Sequence, residues 1–251
     1  MKQWLIISVS LVCLSVCQAW ADDHRNTMEM YTCNYAEGKD HSDYMDVVGD
    51  WNKFAKSTFS EPYAGYVLTP VYAQKSDFPM DFIWLGVSGT PEQMGTLADE
   101  WMDKGSEFAK RFEEVAPCSS HSLWTSLTFR EYPQAGSSGY LQVRSCRMKP
   151  GVSGGQIRLT QEKIAAWMDE HEIPGGNYLW VPGLGAPIDS EVDFYNVWVT
   201  ESLADRGRGA MAFGKNNWRD DFYQIAGDDS LAQCDNWRLW HAQPAGGSEI
   251  D

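Results

Sequence analysis

The chain has 251 residues, and 35 Asp and Glu against 20 Lys and Arg give it a formal charge of −15. A surface this acidic is repelled by phosphate backbones and by anionic lipid, which argues against nucleic acid and against the membrane surface as partners. No CxxC or CxxxH spacing occurs, so a zinc site built on thiols is not expected and no metal or cofactor is assigned.

Residues 1–21 read as a signal peptide. Lys2 supplies a positive n-region, Leu5 to Val16 is an apolar run of h-region length, and Ala19-Trp20-Ala21 is a small-x-small cleavage site. The run is short for a membrane span, and Val16 is a poor residue before a lipidated Cys17. The expected location is periplasmic or secreted, with no membrane attachment after cleavage. Cys13 and Cys17 leave with the signal, and Cys33, Cys118, Cys146 and Cys234 stay. An even count in an exported chain points to two disulfides, for which three connectivities exist.

A strand is predicted near 28–36 and a helix near 41–57, with Tyr44, Val47, Val48, Trp51, Phe54 and Ala55 on one face. Strands near 64–73 and 81–88 follow. Thr90, Pro91 and Gln93 form a helix-start signal, and Met94, Leu97, Ala98 and Trp101 continue its apolar stripe. The strand "CSSHSLWTSLTF" from Cys118 closes the set. The same order then returns, with strands near 140–148, 176–183, 192–200 and 233–242 and helices near 157–172 and 203–226.

The return is written in the residues. "YTCNYAEG" at 31–38 matches "RSCRMKPG" at 144–151, and "YVLTP" at 66–70 matches "YLWVP" at 178–182. Asp81-Phe82 matches Asp193-Phe194, and "CSSHSLW" from Cys118 matches "CDNWRLW" from Cys234. The offsets are 113, 112, 112 and 116, so one register holds throughout. The chain therefore divides into a first repeat at 22–131, a linker at 132–138, a second repeat at 139–243 and a disordered tail at 244–251.

Each repeat has the βαββαβ order of a ferredoxin-like unit, in which the first and last strands are antiparallel neighbours. That placement joins Cys33 to Cys118 and Cys146 to Cys234. Alternation along the strands puts Ile83, Leu85, Val87, Val197 and Val199 on one face, expected to meet the helices. The opposite face then carries Phe82, Trp84, Phe194 and Trp198, with Tyr66, Leu68, Tyr178 and Trp180, and with Trp124 and Trp240 on the side of their cysteines. So aromatic a surface needs a cover, and two sheets packed face to face supply one.

This element order and face pattern resemble the dimeric α+β barrel superfamily, which includes antibiotic-biosynthesis-monooxygenase-like and stress-responsive barrel families, here as a fused pseudo-dimer in one monomeric chain. The resemblance implies a ligand cavity between the sheets. Its candidate lining is Tyr31, Trp84, Trp124, Trp180, Trp198 and Trp240, with Arg144 and Arg238 expected side by side and suited to a carboxylate or other anion. The alternative for these residues is a filled core, with the arginines paired to acids at the rim.

His121 and His241 share faces with Leu123 and Leu239 and read as hydrogen-bonded residues at a core edge. Haem proteins exist with related barrels, and His171 at the end of a helical stripe is the one candidate axial ligand, but no haem motif supports it. Asp40, His41 and Asp43 read as helix capping, and "GVSGG" (151–155) and "GLGAP" (183–187) as turns. The function the residues support first is binding of a small molecule. The alternatives are a cofactor-independent oxygenase or isomerase, and a structural or interaction protein with no pocket.

Overall fold

A computed structural model describes residues 25–131, 136–187, 190–227 and 231–248. The signal at 1–21 and most of the linker lie outside these residues. The first half forms β1 (Arg25–Cys33), α1 (His41–Thr58), β2 (Tyr63–Tyr72), β3 (Phe82–Ser88), α2 (Pro91–Lys104), α3 (Ser106–Val115) and β4 (Cys118–Arg130). The second forms β5 (Gly139–Met148), α4 (Gly154–Glu170), β6 (Gly176–Pro182), β7 (Phe194–Thr200), α5 (Leu203–Lys215), α6 (Trp218–Ala226), β8 (Ala232–Cys234) and β9 (Arg238–Ser248).

Each half is the expected unit with its second helix broken in two. Gly105 separates α2 from α3, and Asn217, in the left-handed region at φ 57°, separates α5 from α6. The helix starts are set locally. Asp40 with Asp43, Thr90 with Gln93 and Ser153 with Gln156 form reciprocal capping boxes on α1, α2 and α4. The Asp40, His41, Asp43 cluster is thus the start of α1, and Asp43 also pairs with Lys39.

The first half orders its strands β4-β1-β3-β2 and the second β9-β5-β7-β6. β2 pairs with β9 and β4 with β6, all antiparallel, so the two four-stranded sheets close into one eight-stranded barrel. Closure changes the reading of the C-terminus: 244–248 is not a disordered tail but the end of β9. Tyr63 pairs with Ser248 there, and Ala245 is buried, because the edge of β2 offers backbone partners that a free tail would lack.

The disulfides are Cys33–Cys118 and Cys146–Cys234, joining β1 to β4 and β5 to β8. They span 85 and 88 residues, and loop-closure entropy alone gives roughly 4 kcal/mol for each.

The faces of β3 and β7 are the reverse of the expectation. Ile83, Leu85, Val87, Val197 and Val199 belong to the core inside the barrel, with Met28, Leu141, Trp180 and Trp240. Phe82 and Trp84 pack under α1 and α2, Phe194 beside Ile157 of α4, and Trp198 beside Trp167 of α4. An eight-stranded barrel is just wide enough to be filled by side chains, and branched aliphatics on its central strands leave room for tryptophans from others. Period-two alternation fixes which residues share a face but not which face is which.

Trp124 does not share the side of Cys118. The register shifts between Thr32 and Cys33, leaving Ser119 as an extra residue, so Cys118 points to the helices and Trp124 into the barrel against Tyr195. In the second half the same effect comes from a strand break: β8 ends at Cys234 and β9 begins at Arg238.

Candidate functional site

Two large cavities lie between the outer faces of the sheet and the helices. The first-half cavity measures about 620 Å³ and the second-half cavity about 690 Å³. The expected site between the sheets is instead occupied at its centre by the packed barrel core.

The floor of the first cavity comes from β1, β3 and β4. In "TMEMYTC", Met28 and Met30 point into the barrel, so Glu29, Tyr31 and Cys33 point to the helices. Trp84 lies opposite Tyr31 on β3, and His121 lies opposite it on β4. Trp51, Trp101 and Phe112 form aromatic walls from α1, α2 and α3.

Glu29, His121 and Trp84, with Tyr63 of β2, form a connected polar cluster. His121 Nε2 stands 2.9 Å from Glu29 Oε2. The Tyr63 hydroxyl donates to Glu29 Oε1 at 2.7 Å and accepts from the Trp84 indole N–H at 2.8 Å. Tyr31 stacks on the His121 ring with centroids 3.8 Å apart. The Tyr63 hydroxyl occupies the space of an absent side chain: a Cβ on Gly86 would lie 1.9 Å from it.

An ionised carboxylate only accepts hydrogen bonds, so in the neutral imidazole Nε2 carries the hydrogen and Nδ1 keeps the lone pair. The Glu29 side chain is 16% exposed and His121 48%, which puts the carboxylate in the wall and the imidazole at the mouth. Burial first, and the Glu29 charge second, hold the Tyr31 and Tyr63 hydroxyls protonated well above the usual tyrosine range. The arrangement is an oriented imidazole base beside an aromatic chamber.

The sequence-nominated residues therefore separate into three places. Tyr31 and Trp84 line the first cavity, and Arg144 and Trp198 the second. Trp124, Trp180 and Trp240 fill the barrel. Arg238 lies opposite Val143 inside the barrel rim, ion-paired to Asp235, with Asp77 at 3.7 Å and the Phe78 ring beneath it. Arg144 faces the helices, so the two arginines lie on opposite sides of the sheet; the break between Cys234 and Arg238 undoes the parity that paired them. His241 meets Ser138 at 2.8 Å and the Tyr140 ring.

Sequence reasoning missed Glu29 and Tyr63. Glu29 did leave a signal, as the only charge in the apolar stretch Met28 to Cys33. Tyr63 left none, because its role depends on Gly86 of another strand.

His171 is not placed to ligate a haem. His171 ends α4 with Nδ1 at 2.9 Å from the Trp167 carbonyl oxygen and its ring stacked on the Trp167 indole. It does not line the cavity beneath α4, whose described lining holds no histidine or tyrosine, and whose one cysteine, Cys234, is disulfide-bonded.

No protein-family model matches the sequence, and no curated protein matches it. Solved structures do resemble it. A monooxygenase-like protein from Lactobacillus acidophilus NCFM superposes with a TM-score of 0.54 at 8% identity, over 91% of this chain and 100% of that one. A monooxygenase-like protein from Fusobacterium nucleatum gives 0.51 at 9% identity, over 90% and 98%. A chlorite dismutase variant from Candidatus Nitrospira defluvii gives 0.50 at 11% identity, over 89% and 93%. At these identities the likeness is one of fold.

Proposed function

We propose that this chain, which has the dimeric α+β barrel fold with both halves in one polypeptide, binds a small aromatic molecule in its first-half cavity and moves a proton on it. The observation that carries this reading is the Glu29–His121 pair at 2.9 Å on the rim of an aromatic chamber of about 620 Å³. His121 Nδ1 takes a proton from an acidic C–H or O–H of the substrate, and Glu29 stabilises the imidazolium formed. Return of that proton to a different atom of the same substrate completes an isomerisation, with no electrons exchanged. The barrel neighbours described as monooxygenase-like favour an enzyme over a filled structural protein. The two disulfides support the second part of the proposal, that the protein works in an oxidising compartment outside the cytoplasm. Among the described residues no helix is long and apolar enough to cross a membrane.

The test follows hydrogen–deuterium exchange at the α-carbon of 2-tetralone, a bicyclic aromatic ketone, by NMR. The protein should accelerate exchange over buffer, and E29Q and H121Q should each lower that rate about 100-fold, the usual size of a general-base contribution. Exchange no faster than in buffer, or undiminished in H121Q, would remove the proton-transfer reading.

A further inference from the structure

The cavity of the second half has a different chemistry, and the proton-transfer reading does not use it. Its floor is made by the helix-facing residues of β5 and β7, notably Gln142, Arg144 and Asn196. Its walls are aromatic, with Trp198 from the sheet and Phe213, Trp218 and Phe222 from α5 and α6. Arg206 reaches down from α5, and its Nε donates to Gln142 Oε1 at 2.8 Å. Gln142 and Arg144 are two residues apart on one strand face, so their side chains stand side by side.

Among the described residues, Arg144 has no direct ionic partner. Its guanidinium lies over the Trp237 ring at 4.3 Å, and its Nε is buried with no hydrogen-bond partner. Asp235, whose charge acts on it, already accepts from the Ser145 N–H and forms the ion pair with Arg238. Among the described residues no Asp or Glu lines the cavity. A buried guanidinium nitrogen left unsatisfied is costly, and in a chain of net charge −15 a cavity whose described lining carries arginines and no acid is not a by-product of composition.

We infer that this second cavity is a binding site for an organic carboxylate with an apolar or aromatic body, its head group held by Arg144 and Arg206 and its body among Trp198, Phe213 and Trp218. A planar guanidinium presents paired donors that match a carboxylate, and Trp237 beneath Arg144 fixes the plane in which they point. The volume of about 690 Å³ is that of an ordinary small-molecule pocket.

Isothermal titration calorimetry of the full mature chain with trans-cinnamate, and with the neutral trans-cinnamamide, tests the assignment. Cinnamate should bind at one site, at least about tenfold tighter than the amide, since a hydrogen bond to a charged group carries that much. R144Q should weaken cinnamate about tenfold or more, R206Q less, and R144K should retain part of the binding. H121Q should bind cinnamate as the parent does, which separates this site from the first cavity. Equal binding of acid and amide, undiminished binding in R144Q, or loss of binding in H121Q would overturn the assignment. So would failure of cinnamate, indole-3-acetate and decanoate alike to bind at millimolar concentration. Should R144Q fail to fold, the acid and amide comparison on the parent chain decides.

Discussion

The two cavities lie over corresponding stretches of sheet, yet their floors carry opposite charge. Glu29 of the first half stands where the second has Gln142, and Tyr31 where it has Arg144, two residues before the disulfide cysteine in each case. Trp84 corresponds in the same way to Asn196, two residues past Phe82 and Phe194. Even the stacking is preserved with new partners: His121 lies on Tyr31 at 3.8 Å, and Trp237 on Arg144 at 4.3 Å. Bulk is exchanged as well. In the first half Tyr63 fills the space above Gly86, whereas in the second Trp198 fills the space beside Gly175, where a Cβ would meet its indole nitrogen at 2.8 Å. The lesson is that disulfide, capping boxes and barrel core hold a scaffold whose chemistry is set by a few floor positions.

Alkaline titration should break the symmetry most strongly. Tyr31, Tyr44 and Tyr63, all lining the first cavity, have hydroxyl pKa values raised chiefly by burial, so the folded state holds protons that the unfolded chain releases near pH 10. Their contribution is complete below pH 10 and is lost as pH rises beyond it, by up to roughly 1.4 kcal/mol per group per pH unit. Urea unfolding between pH 9 and pH 12 should show the first half's core weakening first, and Y44F should flatten the slope; an unchanged slope in Y44F would contradict this.

Truncating the paired phenylalanines should cost each half similarly. Phe82 and Phe194 are 0% and 5% exposed, and F82A or F194A should each lower stability by about 3–5 kcal/mol in denaturant titrations. Replacing either disulfide by a serine pair should cost about 2–4 kcal/mol, nearly equally, because the loops spanned are 85 and 88 residues. Y63F sharpens the contrast: it removes the hydroxyl between Trp84 and Glu29 and should cost about 1–3 kcal/mol, with no counterpart in the second half. Smallest in stability, below about 1 kcal/mol, should be Q142E, which gives the second floor the carboxylate of the first. It sits beside Arg206 and should nonetheless weaken cinnamate about tenfold by neutralising the cavity.

Much of the fold was legible in the residues, and the candidate site was legible only in pieces. The recurring Cys, Phe and Trp positions carry the two-unit order and both disulfides, and Asp40 and Thr90 mark their helix starts, whereas Ser153, in a stretch that reads as a turn, caps α4 three residues ahead of its expected start. The alternating strands also show which residues travel together. What alternation lacks is an absolute direction, so a reading of β3 and β7 from the residues exchanges the sides of their tryptophans and aliphatics. A single extra residue, Ser119, and the break from Asp235 to Trp237 then uncoupled Trp124 from Cys118 and Arg238 from Arg144.

The sequence by itself determined the number of units, their internal order, their covalent staples and the chemical types available on each strand. All of these depend on short-range periodicity, capping and residue identity, which act within a few turns of chain. Only the tertiary structure decided which sheet face became the barrel's interior, and hence that Glu29 meets His121 and that Arg144 has no direct ionic partner among the described residues. That choice is made by the closing of β2 on β9 and β4 on β6, where side chains from the two halves of the chain compete for one filled interior.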